Sequence, residues 1–210
     1  MRRAVGLTAL ALTAVAGCTT ARPTPAVLRY GVTIDDITSM PQIVPSLSHL
    51  PRRPSVRIVF DPGVAPAGYR DAVDRIARVG DILAEPVDSS AASRYVPAQY
   101  RQRFRRYVSA FASEVAVWEI GNEVNGDWLG PAARVRHDIA GAYQVVRDAG
   151  GQTALTLSYE PGSGTDMFAW AGANIPAALR NGLDYLLVSY YADDCGGYQP
   201  GDGEWTRVFA

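Results

Sequence analysis

The chain has 210 residues, of which 48% are hydrophobic and 20% are charged, and its formal net charge is −1 at pH 7. This composition is typical of a globular protein with one large or two small domains, and it excludes a disordered or fibrous chain. A near-neutral chain lacks the basic surface that phosphate backbones require. We therefore expect no nucleic-acid partner.

The N-terminus has the pattern of an export signal. Arg2 and Arg3 precede an uncharged, mostly apolar run, Ala4–Ala16. This run is too short for a membrane-spanning helix, which needs roughly 17–25 residues. Its end, Val-Ala-Gly followed by Cys18, resembles the lipobox of bacterial lipoproteins. The alternative is a plain secretory signal with an incidental cysteine.

The lipobox resemblance implies that Cys18 becomes the lipidated N-terminus of an exported protein. Residues 1–18 would then be a lipoprotein signal peptide, residues 19–27 a tether with two prolines, and residues 28–210 the folded domain. A lipid anchor of this kind would hold the domain at a membrane surface in the bacterial envelope without spanning the membrane.

From residue 28 onward, strand-like and helix-like segments alternate. Period-2 and continuous apolar runs indicate strands, and apolar residues at the 3.6-residue period indicate helices. In chain order, strands are predicted at Leu28–Ile34, Ser55–Asp61, Asp81–Ala84, Val115–Gly121, Thr153–Tyr159 and Leu183–Tyr191. Helices are predicted at Tyr69–Ala77, Ala98–Ala112, Pro131–Gly150, within Gly164–Leu179 and from Gly203 onward.

The four arginines of the second predicted helix are interpreted as a solvated outer face rather than a binding patch. They are Arg101, Arg103, Arg105 and Arg106.

Alternation of strand and helix predicts right-handed βαβ units and an α/β fold with a parallel sheet. A doubly wound sheet favours a glycine-rich phosphate loop after its first strand, and Gly31 stands alone there. An eight-stranded barrel instead places polar chemistry at the carboxyl ends of its strands, as in this sequence. We therefore predict a (β/α)8 TIM-barrel type fold, of which the chain contains only about six βα units.

The most informative segment ends the fourth predicted strand. Asn122 and Glu123 follow an aromatic strand residue and precede a loop with Trp128. This combination resembles clan A of the glycoside hydrolases, whose fourth strand ends in Asn-Glu. The resemblance implies a retaining glycosidase that acts on a carbohydrate substrate, with Glu123 as general acid/base and Asn122 bonded to the sugar 2-hydroxyl. The alternative is that the pair caps the next segment.

The resemblance implies roles for further residues. Arg57 resembles the clan's strand-two arginine, with a buried ion pair to Glu119 or Glu85 as the alternative. Tyr190 and Tyr191 fall at the aromatic position that ends strand six; one would contact the nucleophile or a sugar, and the other has core packing as an equal alternative. The remaining candidate sugar contacts, each with a loop-packing or capping alternative, are Trp128, Asp61 and Asp88.

The clan's nucleophile ends strand seven, which lies beyond the six units predicted here. Glu160 is the best internal substitute, although it does not match the clan's position. The sequence is therefore expected to be a truncated or degenerate catalytic domain. A non-catalytic carbohydrate-binding or envelope lipoprotein on the same scaffold is the second hypothesis. A metal ion is not expected, because two histidines and two distant cysteines do not form a clustered metal-binding motif. No cofactor is expected either.

Overall fold

A computed structural model describes residues 30–161 and 166–209. The predicted signal peptide, Cys18 and the tether lie outside the described residues. Within these residues, six β-strands alternate with helices. The strands are β1 (Gly31–Ile34), β2 (Ser55–Val59), β3 (Asp81–Glu85), β4 (Val115–Gly121), β5 (Gln152–Ser158) and β6 (Tyr185–Ser189).

The described residues form eight α-helices. They are α1 (Met40–Ser48), α2 (Arg70–Ala77), α3 (Ser89–Ala92), α4 (Pro97–Phe111), α5 (Ala132–Asp148), α6 (Met167–Asn174), α7 (Ala177–Gly182) and α8 (Asp202–Phe209). Two short 3-10 turns cover Pro66–Tyr69 and Asp127–Leu129.

All six strands are parallel and pair in the order β1-β2-β3-β4-β5-β6. Strands that are neighbours in sequence are thus neighbours in the sheet, with helices on one face. This arrangement curls into a partial barrel and confirms the predicted TIM-barrel type fold with about six βα units. The parallel order places the carboxyl ends of all six strands at the same edge.

The sequence pattern does not predict two of these helices, α1 and α3. Helix α1 contains Pro45 in its interior as well as Pro41 near its start, and prolines inside a helix mask its pattern. Helix α3 has only four residues, too few for a periodic pattern, and is capped by the Asp88 side chain. The single helix expected within Gly164–Leu179 is two helices, α6 and α7, because Pro176 follows the first of them.

The main core lies between the sheet and its helices. Alternate residues of β2, Val56 and Ile58, are fully buried against the helices, whereas Arg57 between them faces the inside of the barrel. An aromatic cluster of Phe60, Tyr69, Tyr107 and Phe111 fills the space between β2 and helix α4. Within the described residues, no helix is both long and apolar enough to cross a membrane.

Candidate functional site at the carboxyl ends of the strands

Arg57 lies inside the partial barrel and binds two buried carboxylates. Its Nε atom lies 2.7 Å from Glu119 Oε2, and its Nη2 atom lies 3.1 Å from Glu119 Oε1 and 2.7 Å from Glu85 Oε2. The Glu85 and Glu119 side chains are both fully buried. The alternative in which Arg57 forms a buried ion pair therefore describes its contacts in this structure.

One guanidinium cannot neutralise two carboxylates. Burial, and then the negative charge of Glu119, raises the pKa of Glu85 to about 10 although Arg57 opposes the shift. For Arg57, burial would lower the pKa, but the bonded Glu119 and the neighbouring Glu85 raise it above its ordinary value. At neutral pH we therefore expect Glu85 to be protonated.

Glu119 is also the anchor of Asn122. Its Oε1 atom accepts hydrogen bonds from Asn122 Nδ2 at 3.2 Å and from the Thr156 hydroxyl on β5. The Asn122 Oδ1 atom in turn accepts a bond of 3.1 Å from the backbone N–H of Ser89. Asn122 is 4% exposed and both ends of its amide are engaged, so its position is fixed from β4 and from the start of α3.

Glu123 is held differently from the other buried carboxylates. Its Oε2 atom accepts a hydrogen bond of 2.9 Å from the Ser89 hydroxyl, whereas its Oε1 atom has no hydrogen-bond partner among the described residues. The side chain is 7% exposed and forms no ion pair within 4.0 Å with a described arginine or histidine. Among the described residues, Glu123 thus presents an unpaired carboxylate oxygen and has no cationic partner.

The backbone at Glu123 adopts a conformation that side chains rarely tolerate. Its φ angle is +49°, and among the described residues it is the one non-glycine residue with positive φ. The turn follows Gly121, where an added Cβ would lie 2.6 Å from Val124 and 2.8 Å from Ile139. Backbone in this region costs of the order of 1 kcal/mol or more and is common at functional sites. The turn directs Glu123 away from the strand and towards a cavity.

This cavity, named the Glu123 cavity, has a volume of about 670 Å³ and lies at the carboxyl edge of the sheet. That volume is in the usual range for binding sites of small molecules. Glu123 and Ser89 form one side, and residues that follow β5 and β6 form the other. The further side chains that line it include Trp128, Ser158, Tyr159, Glu160, Tyr191, Asp194 and Cys195.

Three more of the predicted site residues line this cavity, and a fourth does not. Trp128 is 43% exposed and Tyr191 is 53% exposed, and both line the Glu123 cavity together with the exposed Glu160. Tyr190 is absent from the lining; it packs instead against the rings of Tyr159 and Trp205. Of the two strand-six tyrosines, Tyr191 is therefore the one that reaches the cavity.

Tyr191 lies close to the Glu123 carboxylate. Partial burial, and then the negative charge of Glu123, raises the pKa of Tyr191 to about 12. The phenol is therefore neutral at pH 7 and retains a proton that it can donate. Glu123 and Tyr191 form a pair of one proton acceptor and one proton donor at the same wall of the cavity.

Asp61 and Asp88 have local structural contacts. Asp61 accepts a hydrogen bond of 2.6 Å from the Tyr69 hydroxyl, and Asp88 caps helix α3 by accepting a bond of 2.9 Å from the Ser90 N–H. Neither residue lines the Glu123 cavity. These contacts agree with the alternative in which both residues hold local segments of the chain and do not contact a sugar.

Two residues of the site were not singled out in the sequence. Ser89 bonds both Asn122 and Glu123, and Asn125 pairs with the backbone of Ser158 through bonds of 2.8 and 2.7 Å that tie the loop after β4 to the end of β5. Asn125 belongs to the same segment as Glu123, and this position in the sequence could have indicated that it belongs to the site. Ser89 belongs to a short helix that has no sequence pattern.

Metal binding has no support in the described part of the chain. Among residues 30–161 and 166–209, no group of three or more His, Cys, Asp and Glu side chains is placed so that it could hold a metal ion. Cys195 is a free cysteine on the wall of the Glu123 cavity.

Comparison with known proteins gives a similarity of fold. No protein-family model matches this chain, and no curated protein matches it. Among solved structures, it is similar to a sugar phosphate isomerase/epimerase from Parabacteroides distasonis, with 14% sequence identity and a TM-score of 0.51. The alignment covers 89% of this chain and 76% of that one. What the two share is the fold.

These comparisons correct the expected family and activity. The assignment to clan A of the glycoside hydrolases, and with it the retaining glycosidase activity and the hydrolase class, is wrong: no family model matches, and the similar structure is an isomerase/epimerase. The physical reason is that barrels of many activities place polar residues at the strand ends, so an Asn-Glu pair there does not fix the chemistry. Export and attachment to a membrane stay predictions.

Proposed function

We propose that this chain isomerises or epimerises an unphosphorylated sugar, and that Glu123 moves the proton. The observation that carries the proposal is the environment of the Glu123 carboxylate, which is buried at the wall of a cavity of about 670 Å³. Among the described residues, one of its oxygens is unpaired and no arginine or histidine forms an ion pair with it. A carboxylate in this state is a base with a free lone pair.

The chemistry needs one base and one hydrogen-bond donor. Glu123 removes a proton from the carbon next to the sugar carbonyl, and the electrons of the broken C–H bond form a carbon–carbon double bond. The carbonyl electrons move to its oxygen, which gives an enediolate. Return of the proton from Glu123 to the neighbouring carbon, while the hydroxyl proton moves from the adjacent oxygen to the former carbonyl oxygen, yields the isomer. Protonation of the original carbon on its other face by a solvent water, with Glu123 passing its own proton to the hydroxide left behind, yields the epimer. No electron acceptor is required.

Tyr191 supplies the donor in this scheme. Its neutral phenol lies beside Glu123 and can donate a hydrogen bond to the oxygen on which negative charge develops. A preformed donor at that oxygen stabilises the enediolate more than it stabilises the neutral carbonyl. The residues that hold Glu123 and Asn122 in place are Ser89, Glu119 and Arg57.

The charge of the cavity favours a neutral sugar. Three carboxylates, Glu123, Glu160 and Asp194, are among its described lining residues, whereas no arginine or histidine is. A phosphate group would meet like charges there without a cation to offset them. The similar structure is a sugar phosphate isomerase/epimerase. We propose that the present chain differs from it in acting on a sugar without a phosphate group. The Trp128 ring offers an apolar surface suited to the C–H face of a sugar.

Hydrogen exchange into a sugar is a direct test. The protein is incubated in D2O with a panel of aldoses and ketoses and with their phosphate esters, and deuterium at the carbon next to the carbonyl is followed by proton NMR. We expect deuterium incorporation into an unphosphorylated sugar. In Glu123→Gln the rate should fall at least about 100-fold, because the base is lost while the shape is kept.

Glu114→Gln is the matched control. Glu114 is a carboxylate at the opposite end of β4, where it pairs with Arg70, so its loss should leave the exchange rate unchanged. Unaltered exchange in Glu123→Gln, or exchange only with phosphorylated sugars, would contradict the proposal. Sugar binding without deuterium incorporation would indicate a binding protein.

A further inference from the structure

A second cavity on the outer surface is strongly basic. It has a volume of about 730 Å³ and lies between the loop after β2, residues 63–66, and helix α4. We name it the arginine groove. No aspartate or glutamate is among its described lining residues, whereas four arginines are: Arg94, Arg103, Arg105 and Arg106.

Arg103 forms the floor of this groove. It is 8% exposed, so the interpretation of this helix face as solvated is wrong at Arg103. Its guanidinium donates to the backbone oxygens of Phe60 at 2.9 Å, Asp61 at 2.7 Å and Val64 at 3.1 Å, and also to that of Pro86. No described carboxylate lies within ion-pair distance of it, so this buried positive charge is offset only by carbonyl dipoles and aromatic rings.

The walls of the arginine groove are fixed in place. Val64 O accepts hydrogen bonds from both Arg103 and the Tyr107 hydroxyl, the latter at 2.9 Å, which holds the loop against α4. On the other side, Arg134 of α5 donates to the backbone oxygens of Ser93 and Tyr95 and so holds the segment before α4. The groove is therefore a preformed shape.

The three other arginines of the groove are exposed, and their guanidiniums have no partner among the described residues. Elsewhere in the chain, Arg53, Arg70 and Arg147 each pair with a carboxylate within 3.0 Å. Within the described residues, Arg94, Arg105 and Arg106 form no such pair, and their side chains form no hydrogen bond. Three free guanidiniums thus surround one cavity whose floor is also cationic.

We propose that the arginine groove binds the pyrophosphate group of a phosphorylated small molecule. A single carboxylate would neutralise one of the three unpaired guanidiniums, whereas a pyrophosphate group carries about three negative charges and several oxygens for bidentate bonds with arginine. The N-terminal turn of α4, which contributes Gln99 to the lining, adds the partial positive charge of a 15-residue helix.

The groove and the Glu123 cavity are separate sites. The described residues that line the one do not occur in the lining of the other. Loss of the Glu123 carboxylate should therefore leave anion binding intact, and the two proposals can fail independently.

Isothermal titration calorimetry with inorganic pyrophosphate tests the site in the wild type and in single variants. We expect saturable binding with one site per chain, and weaker binding of inorganic phosphate. Arg105→Gln and Arg106→Gln should each weaken pyrophosphate binding about tenfold, because each removes a charge-assisted hydrogen bond. Arg101→Gln is the matched control: Arg101 is an exposed arginine of the same helix that does not line the groove, and its loss should leave affinity within about twofold.

The control separates a site from a general charge effect. Equal weakening in Arg101→Gln and Arg105→Gln would show nonspecific attraction and would overturn the proposal, as would absence of saturable binding at millimolar pyrophosphate. Glu123→Gln should bind pyrophosphate like the wild type. Circular dichroism of each variant verifies that the exposed substitutions leave the fold unchanged.

Discussion

Glu85 provides a sharp test of the electrostatics beneath the site. Its side chain is fully buried, and neither of its oxygens has a hydrogen bond of good geometry, although Arg57 Nη2 lies 2.7 Å from Oε2. Burial, and then the nearby Glu119 with which it shares Arg57, raises the pKa of Glu85 to about 10. In the unfolded chain its pKa returns to about 4.5.

The sign of the pH dependence follows from these two values. Between pH 4.5 and pH 10 the folded protein holds a proton that the unfolded chain releases, so this site makes the folded state less stable as pH rises. One proton corresponds to about 1.4 kcal/mol per pH unit. Glu85→Gln cannot titrate, and so we expect its free energy of unfolding to rise by about 2–3 kcal/mol relative to that of the wild type between pH 5.5 and pH 7.5.

Urea denaturation followed by circular dichroism at pH 5.5, 6.5 and 7.5 measures this difference. A second arm uses Glu119→Gln, which removes the repelling charge and leaves Arg57 to Glu85 alone. In that background the effect of Glu85→Gln should vary much less with pH. A difference between Glu85→Gln and the wild type that stays constant with pH within about 0.5 kcal/mol would refute the argument, because it would mean that Glu85 is ionised in the folded protein.

Two further predictions concern stability around helix α5. Asp138 is 6% exposed, and burial raises its pKa to about 6 from 3.8, so its ionisation destabilises the fold in full above pH 6. Asp138→Asn should therefore raise the free energy of unfolding at pH 7 by up to about 3 kcal/mol. Urea titrations should show that this gain is lost by pH 4. An equal gain at both pH values would contradict the argument. Gly121→Ala should cost about 1–3 kcal/mol in thermal unfolding, because the methyl group would overlap Val124. Its control, Gly141→Ala in helix α5, has room for the methyl group, whose nearest neighbour would be Arg101 Cβ at an ordinary contact distance of 3.4 Å, and should be neutral or stabilising.

The corrected activity shows what a short motif can and cannot determine. Asn122 and Glu123 directly follow β4, and Glu123 does reach a cavity, because a glutamate at the carboxyl end of a barrel strand lies at the edge where sites form. The same position serves proton transfer at a carbonyl as well as at an acetal. Which bond is broken depends on the groups around the carboxylate, and those groups come from distant segments.

The sequence alone determined the order of the strands and the edge at which the polar residues gather. Strand and helix patterns are local, and parallel βα units of this spacing have few ways to assemble, so the partial barrel followed from them. Only the tertiary structure decided which charges are free. It pairs Arg57 with Glu119 and Glu85, leaves one oxygen of Glu123 unpaired, and buries Arg103 without a carboxylate. These states depend on contacts across up to 62 residues of sequence, which no local pattern encodes.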